Sequence, residues 1–186
     1  GLASLAWRVN PLTGLLGALT LATYLFVYTP LKRITWLNTW VGAFPGALPP
    51  LLGWVAARNA ITLEGAALFA IQFLWQIPHF MAIAWLYRDD YRSAGFPMLP
   101  VIEPDGRRTG RHALAYAAAL LPVSLTPTYW GVAGSTYFWV ATALGVALLV
   151  LAARFAATRS ESAARALFFG SITYLPLLWV AMVLDH

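Results

Sequence analysis

The chain has 186 residues, of which 60% are hydrophobic and only 10% are charged, and its mean hydropathy is +0.68. Soluble domains carry about 25% charged residues, so this composition excludes an ordinary soluble core and indicates a polytopic membrane protein. The absence of cysteine excludes disulfides, thiolate metal sites and cysteine nucleophiles. The net charge of +5 comes from residues between apolar segments, which favours membrane topology and anion binding over nucleic acid.

Six apolar segments follow one another, and most approach the ~20 residues that cross a bilayer. They are Leu12–Val27, Leu37–Ala57, Leu63–Leu86, His112–Thr126, Ser135–Phe155 and Ala164–Leu184. Asn10 and Pro11 precede the first segment and suit the start of a helix. The fourth segment is short because Pro127 follows Thr126. The sequence predicts an all-α transmembrane helix bundle that forms a single domain over residues 1–186.

The basic residues are distributed unevenly between the two ends of such a bundle. Ten of the twelve lie in or beside the loops after the first, third and fifth segments, and only Arg8 and Arg58 lie on the other side. The positive-inside rule places loops 28–37, 87–111 and 155–164 in the cytoplasm. Both ends of the chain then lie outside, which predicts that an odd number of helices precedes this chain.

The third segment carries polar residues that are unusual in an apolar helix. Gln72, Gln76 and His79 occur at i, i+4 and i+7, which predicts one polar stripe on one face, and Pro78 predicts a kink beside it. The two glutamines either hydrogen-bond neighbouring helices or line a site, and both alternatives stay open. An ionisable residue inside a membrane segment favours a site for His79. No second histidine or carboxylate lies nearby, so a histidine metal cage is not indicated.

The loop after the third segment combines Arg88, Asp89, Asp90 and Arg92 within five positions. Carboxylates at a membrane edge can hold Mg²⁺, which in turn binds phosphate, and guanidinium groups can clamp phosphate directly. The alternative is a solvated loop in which these charges form ion pairs of little energy.

The loop after the first segment lies on the same predicted side and adds Lys32 and Arg33 beside Tyr28. Cations and paired carboxylates at one mouth of an apolar bundle suit an amphiphile with an anionic head and a long apolar tail. Asn38, which follows, is either a helix N-cap or a polar ligand, and the two alternatives stay open. Gly42 and Gly46 further along predict close helix packing.

Three stretches together resemble one known family. They are VNPLTGLLG (9–17), VYTPLKRITWLNTWVGAFPGALPPLLGW (27–54) and LWQIPHFMAIAWLYRDDYRSAGFPMLPV (74–101). They resemble the protoheme IX farnesyltransferases, the haem O synthases of the UbiA-type prenyltransferase superfamily. The resemblance implies a nine-helix bundle in the cell inner membrane, in which these six segments match the last six helices. The family's first Asn/Asp-rich motif has no equivalent here, so the chain alone is expected to be inactive.

The resemblance also implies an activity, the transfer of a farnesyl group from farnesyl diphosphate to a vinyl group of haem b (protoheme IX) to give haem O. It places the second metal motif at Asp90, with Asp89, as ligands of Mg²⁺. The catalytic residues would be Asp90, Arg88, Lys32 and His79. The residues that bind diphosphate or haem would be Tyr28, Lys32, Arg33, Asn38, Gln76, His79, Arg88 and Arg92.

The implied partners are farnesyl diphosphate, protoheme IX and the lipid bilayer, with haem A synthase or terminal oxidase assembly as protein partners and no nucleic acid. Two alternatives differ in function. One is a UbiA-type prenyltransferase that acts on a quinone precursor or another aromatic acceptor. The other is a membrane transporter, since polar residues in kinked helices also line permeation paths.

Overall fold

A computed structural model describes all residues from Gly1 to His186 and contains helices but no strands. The elements are α1 (Leu2–Arg8), α2 (Pro11–Ala22), a π-helical turn (Thr23–Tyr28), α3 (Thr29–Leu31), α4 (Asn38–Arg58), α5 (Leu63–Leu86), α6 (Arg88–Ser93), α7 (Leu99–Ile102), α8 (Arg107–Tyr129), α9 (Ser135–Thr158) and α10 (Glu161–Leu184). α2, the π-helical turn and α3 follow one another without a gap, so the chain has six long helical stretches. The all-α prediction is confirmed.

Five of these six stretches are long and apolar enough to cross a membrane, and α8 is the exception. α8 has 23 residues, longer than predicted at both ends. At its start, the backbone N–H groups of Arg107 and Arg108 donate to Asp105 Oδ1 and Glu103 Oε2. The helix therefore includes a basic turn before the predicted apolar segment. Near its end, Pro127 provides no N–H for the Val123 carbonyl, and the hydroxyl of the preceding threonine donates to that carbonyl at 2.7 Å.

α5 occupies the centre of the bundle. It packs against α4, α8 and α10, while α9 packs against α8 and α10, and α2 packs against α4. Ile71, Ile77 and Met81 of α5 are fully buried in the main core. Large apolar side chains such as Phe26 and Trp139 remain exposed on the outside, as on helices that face lipid. α5 is a continuous helix through Pro78.

The three basic loops meet at one end of the bundle, as the sequence predicts. Arg88, just after α5, lies 3.4 Å from Glu161 at the start of α10. Arg108, at the start of α8, has its guanidinium 4.7 Å from the centre of the Trp36 ring, which lies between α3 and α4. This end, called the basic end below, therefore collects ten of the twelve Lys and Arg residues.

At the opposite end, Asn10 joins the start of α2 to the end of α4, as its predicted role as a helix cap requires. Its Oδ1 accepts a hydrogen bond from the Thr13 N–H at 2.8 Å, and its Nδ2 donates to the Val55 carbonyl at 3.0 Å. The side chain is only 8% exposed. It therefore satisfies one backbone donor and one backbone acceptor away from water.

Replacing Asn10 by alanine is expected to lower the free energy of unfolding by about 2 kcal/mol, because the cap and the bond to Val55 each contribute about 1 kcal/mol. Asn10→Ser retains a capping oxygen and is expected to lose about half as much. Denaturant unfolding in detergent micelles, followed by tryptophan fluorescence, measures both variants. Equal losses in the two variants would show that the cap contributes nothing.

Candidate functional site

A cavity of about 870 Å³ lies between α2, α4 and α5. It runs from the basic end, where Lys32 and Tyr91 line it, toward the middle of the bundle, where Leu21, Leu52 and Phe80 line it. This volume is in the range of sites for small molecules, about 300–1,000 Å³. The cavity can therefore hold a long apolar group inside and a polar group at the basic end.

Two glycines one turn apart shape the wall that α4 gives to the cavity. A Cβ atom at Gly42 would lie 2.7 Å from the Tyr28 ring, and one at Gly46 would collide with the side-chain amide of Gln76. The close approach of helices that the sequence predicts here is confirmed. Both glycines also line the cavity, so they position its walls as well as pack them.

The π-helical turn places two tyrosines on the cavity from the other side. The backbone N–H and the hydroxyl of Thr29 both donate to the Tyr24 carbonyl, five residues earlier, and Pro30 next to it provides no N–H at all. The rings of Tyr24 and Tyr28 lie 5.2 Å apart, and both line the cavity. Single π-helical turns occur often at functional sites.

Lys32 is the only charged side chain in the cavity lining. Its Nζ lies 6.0 Å from the centre of the Tyr28 ring. Tyr91, at the same end, is half-buried, and burial raises its pKa above the ordinary value of 10, with the neighbouring Tyr87 as the smaller cause. Tyr91 is therefore a neutral hydroxyl donor at pH 7. The mouth of the cavity thus offers a cation and hydroxyl donors, which suits an anion.

The N-cap alternative for Asn38 is wrong. Leu37 is the N-cap residue of α4, and no side chain caps that helix. Asn38 is buried as the first helical residue, where its Nδ2 donates to the Lys32 carbonyl at 3.4 Å and its Oδ1 accepts from the Thr39 hydroxyl at 3.3 Å. It lines the cavity and holds the backbone of the loop that carries Lys32.

Gln76 lines the cavity, but His79 does not. Gln76, which is 5% exposed, donates through Nε2 to the carbonyls of Ala43 and Gln72, both at 3.1 Å. The Nδ1 atom of His79 instead lies 2.9 Å from Ser171 Oγ on α10. A spacing of three positions separates two side chains by about 60° around a helix. Gln76 and His79 can therefore reach different neighbouring helices. Although helical spacing puts them on one stripe, Gln76 contacts α4 and His79 contacts α10.

The charged residues after α5 lie outside the cavity lining and differ in what they contact. Arg88 donates to the Trp85 carbonyl at 2.8 Å and pairs with the α10 glutamate. Arg92 pairs with Asp89 at 2.5 Å, so the ion-pair alternative describes these two residues. The carboxylate of Asp90 is exposed and makes no hydrogen bond or ion pair. Asp90 therefore has a carboxylate without a bonding partner, and its neighbour Tyr91 lines the cavity.

This donor set fits Mg²⁺ in one way only. No group of three or more His, Cys, Asp or Glu side chains comes together in the chain. Asp90 offers one free carboxylate, and Asp89 offers a second that is shared with Arg92. Mg²⁺ commonly binds through one or two carboxylates together with substrate phosphates and water. The residues therefore fit a magnesium ion that arrives with a phosphate ligand, and not a cage made by these residues alone.

A sequence model described as "UbiA prenyltransferase family" matches residues 1–175. The chain belongs to the UbiA prenyltransferase family. The helices, the basic end and the cavity are thus those of a multi-pass membrane protein of this family. Because the family model spans nearly the whole chain, both the cavity and the loop with Asp90 lie within the matched region.

Individual relatives agree with this membership. The chain is 49% identical over 186 residues to a "Protoheme IX farnesyltransferase" of Solibacter usitatus, covering all of this chain and 64% of that protein. It is 39% identical to "Protoheme IX farnesyltransferase, mitochondrial" of Arabidopsis thaliana, covering all of this chain and 43% of that protein. The chain therefore spans less than two thirds of the length of these relatives.

A solved structure shares the fold of this UbiA prenyltransferase chain. It is described as "Structural and mechanistic insights into the biosynthesis of Digeranylgeranylglyceryl phosphate synthase in membranes". The TM-score is 0.85 at 13% identity, over all of this chain and 64% of that one. This likeness confirms the predicted UbiA-type helix bundle.

The UbiA cavity brings together four of the predicted site residues, namely Tyr28, Lys32, Asn38 and Gln76. The remaining six lie outside its lining; they are Arg33, His79, Arg88, Asp89, Asp90 and Arg92. Sequence reasoning missed Tyr24, Thr39 and Tyr91 as lining residues. The spacing of Tyr24 and Tyr28 by one helical turn, and the position of Tyr91 beside Asp90, are the signals that could have found two of them.

Proposed function

We propose that the protein containing this chain transfers a farnesyl group from farnesyl diphosphate to a vinyl group of protoheme IX, which converts haem b into haem O. The observation that carries this proposal is the 49% identity, across the whole chain, to a relative named protoheme IX farnesyltransferase. An apolar cavity with a cation at its mouth supports it, because a prenyl diphosphate has that same division of polarity.

The residues at the basic end of the cavity contribute in different ways to binding the diphosphate. Lys32 supplies positive charge, and the hydroxyls of Tyr28 and Tyr91 supply neutral donors beside it. Asn38 holds the loop of Lys32 through its carbonyl. Arg33, Arg88 and Arg92 add positive potential at the same end, which attracts the anion and stabilises the departing diphosphate.

Asp90 and Asp89 are the proposed ligands of Mg²⁺ on this chain. When bound with the diphosphate, Mg²⁺ would supply neutralising charge to the leaving group. Asp90 is the better placed of the two, since its carboxylate has no competing partner in the structure, whereas Asp89 would have to share Arg92.

The proposed reaction breaks the bond between farnesyl C1 and the diphosphate oxygen and forms a carbon–carbon bond to the haem vinyl group. The resulting vinyl-derived cation takes up water and releases a proton, which leaves a hydroxyethylfarnesyl substituent. The apolar lining, including Leu21 and Phe80, keeps water from the allylic cation before the vinyl group attacks. Gln76 in this lining and His79 nearby are the proposed contacts for haem.

The proposed location is the cell inner membrane, with loops 28–37, 87–111 and 155–164 in the cytoplasm. Ten basic residues at one end of the bundle support this orientation. The 186 residues are proposed to act as one domain. Haem A synthase or the terminal oxidase assembly, which would use the product, are the proposed protein partners.

The test uses the complete reading frame that contains these 186 residues, expressed in membranes and supplied with farnesyl diphosphate, reduced haem b and Mg²⁺. We expect mass spectrometry to detect haem O. EDTA is expected to abolish product formation, and added Mg²⁺ to restore it, because Mg²⁺ that binds through one or two carboxylates and substrate phosphates is accessible to a chelator.

The alternatives have distinct outcomes in the same preparation. Prenylation of a quinone precursor without farnesylation of haem would identify the acceptor as aromatic and contradict the proposal. Solute flux in proteoliposomes without any prenyl transfer would identify a transporter. Activity that persists in EDTA would contradict the assignment of Mg²⁺ to Asp90 and Asp89.

A further inference from the structure

The imidazole of His79 packs against two aromatic rings at the junction of α5 and α10. The Trp75 ring stacks on it, with centroids 4.9 Å apart and planes 17° from parallel, and the Phe168 ring also stacks on it, at 5.3 Å and 21°. Ser171 Oγ lies 2.9 Å from Nδ1. The ring therefore has a fixed plane and a fixed rotation within that plane.

The hydrogen bonds of Ser171 decide which nitrogen of His79 carries the hydrogen. Ser171 Oγ lies 2.7 Å from the Phe168 carbonyl, which can only accept, and because this is the shorter of its two contacts we assign the single hydroxyl hydrogen to it. Toward His79, the same oxygen can then only accept. Nδ1 of a neutral His79 must therefore be the N–H, and Nε2 must carry the lone pair.

Nε2 has no partner within the chain. It makes no hydrogen bond, and it is not among the fully buried polar atoms that lack one, which are Trp85 Nε1, Thr109 Oγ1 and Tyr174 OH. It is therefore open to contact from outside the chain. His79 precedes the end of α5 at Leu86 by seven residues, about 10 Å along the helix axis from the basic end. A nitrogen with a free lone pair at this depth in an apolar bundle can bind the metal ion of a ligand that enters the membrane.

We propose that Ser171 is a positioning residue that fixes His79 in the Nδ1–H form and presents Nε2 as an axial ligand to the iron of the haem substrate. Histidines that bind metals usually donate their other ring N–H to an oxygen acceptor, and that acceptor is already in place here. Trp75 strengthens the arrangement, since its indole N–H donates to the Ser171 carbonyl at 2.7 Å. The proposal rests on the proposed function for the identity of the ligand.

The experiment titrates haem b into the purified full reading frame in nanodiscs and follows the Soret band and the iron–histidine stretch in resonance Raman spectra. His79→Ala is expected to abolish the nitrogen-ligand signature. Ser171→Ala is expected to weaken haem affinity about tenfold, the scale for loss of such an acceptor, and to shift the iron–histidine stretch. Ser171→Thr retains the hydroxyl and is expected to behave as the unchanged protein. Ser162→Ala, an exposed serine on the same helix, is the matched control.

The outcomes separate this proposal from the proposed function. If haem receives a farnesyl group but the His79→Ala spectrum is unchanged, the ligand assignment fails alone. If the iron–histidine signature is present but no transfer occurs, the proposed function fails alone. A Ser171→Ala protein that loses thermal stability but retains an unchanged spectrum would show that Ser171 only joins α5 to α10. Binding of farnesyl diphosphate to each variant checks that it is folded.

Discussion

Replacing Asp90 by asparagine in the full reading frame is expected to lower the rate of farnesyl transfer about a hundredfold, with little change in protein stability. Removing one group that stabilises developing charge has effects of this size in enzymes. Asp90 is exposed and makes no ion pair, so its carboxylate contributes little to folding and is free for Mg²⁺ and diphosphate. Steady-state kinetics at saturating and limiting Mg²⁺ measures the effect.

Asp89→Asn is the matched comparison, since it makes the same chemical change at the second proposed ligand, one residue earlier. Asp89 is paired with Arg92 at 2.5 Å and is also exposed. Asp89 is the second proposed Mg²⁺ ligand but shares its carboxylate with Arg92, so we expect a smaller loss of rate than in Asp90→Asn. A larger loss in Asp89→Asn than in Asp90→Asn would reverse the assignment of the metal ligand. Equal rates in Asp90→Asn and the unchanged protein would show that Asp90 is not a metal ligand in the reaction.

Most of the fold could be predicted because the membrane restricts it so strongly. Apolar length sets each helix, and the predicted bounds of the third segment coincide with those of α5. The predicted bounds were wrong for α8, because hydrogen bonds and not apolar length determine where that helix begins and ends. α8 begins at Arg107, where Asp105 and Glu103 accept hydrogen bonds from the first two N–H groups, and it continues past Pro127, where a threonine hydroxyl satisfies the freed carbonyl. Neither bond is visible in a hydropathy profile.

The candidate site was less predictable than the fold because it depends on which face each residue occupies. Spacing alone puts Gln76 and His79 on one stripe, yet an offset of about 60° sends one to α4 and the other to α10. Tyr24 lies on a π-helical turn that hydropathy does not reveal, and only its four-residue spacing from Tyr28 points to the cavity. Tyr91 lies among charged residues, a pattern typical of a solvated loop, and nothing in that pattern predicts that its ring lines the cavity.

The second large effect is expected at Lys32, which is the only charged side chain that lines the cavity. Lys32→Met retains much of the side-chain length but removes the ammonium group. We expect kcat/KM for farnesyl diphosphate to fall about a hundredfold, or about 2.7 kcal/mol of transition-state stabilisation. The loss is expected in kcat as well as in KM, because negative charge on the diphosphate increases as the bond to farnesyl C1 breaks.

Arg33→Met is the matched control, because it removes a neighbouring cation that is exposed and does not line the cavity. A charge that acts only through the general field at the basic end is screened by salt, so its loss is expected to cost less than about fivefold and to vanish at high ionic strength. The Lys32 effect is expected to persist there, since a half-buried contact is screened less. Equal, salt-sensitive losses in both variants would place the diphosphate on the loop surface instead of at the mouth of the cavity. Because the two residues are adjacent, this comparison tests the geometry of the site separately from its net charge.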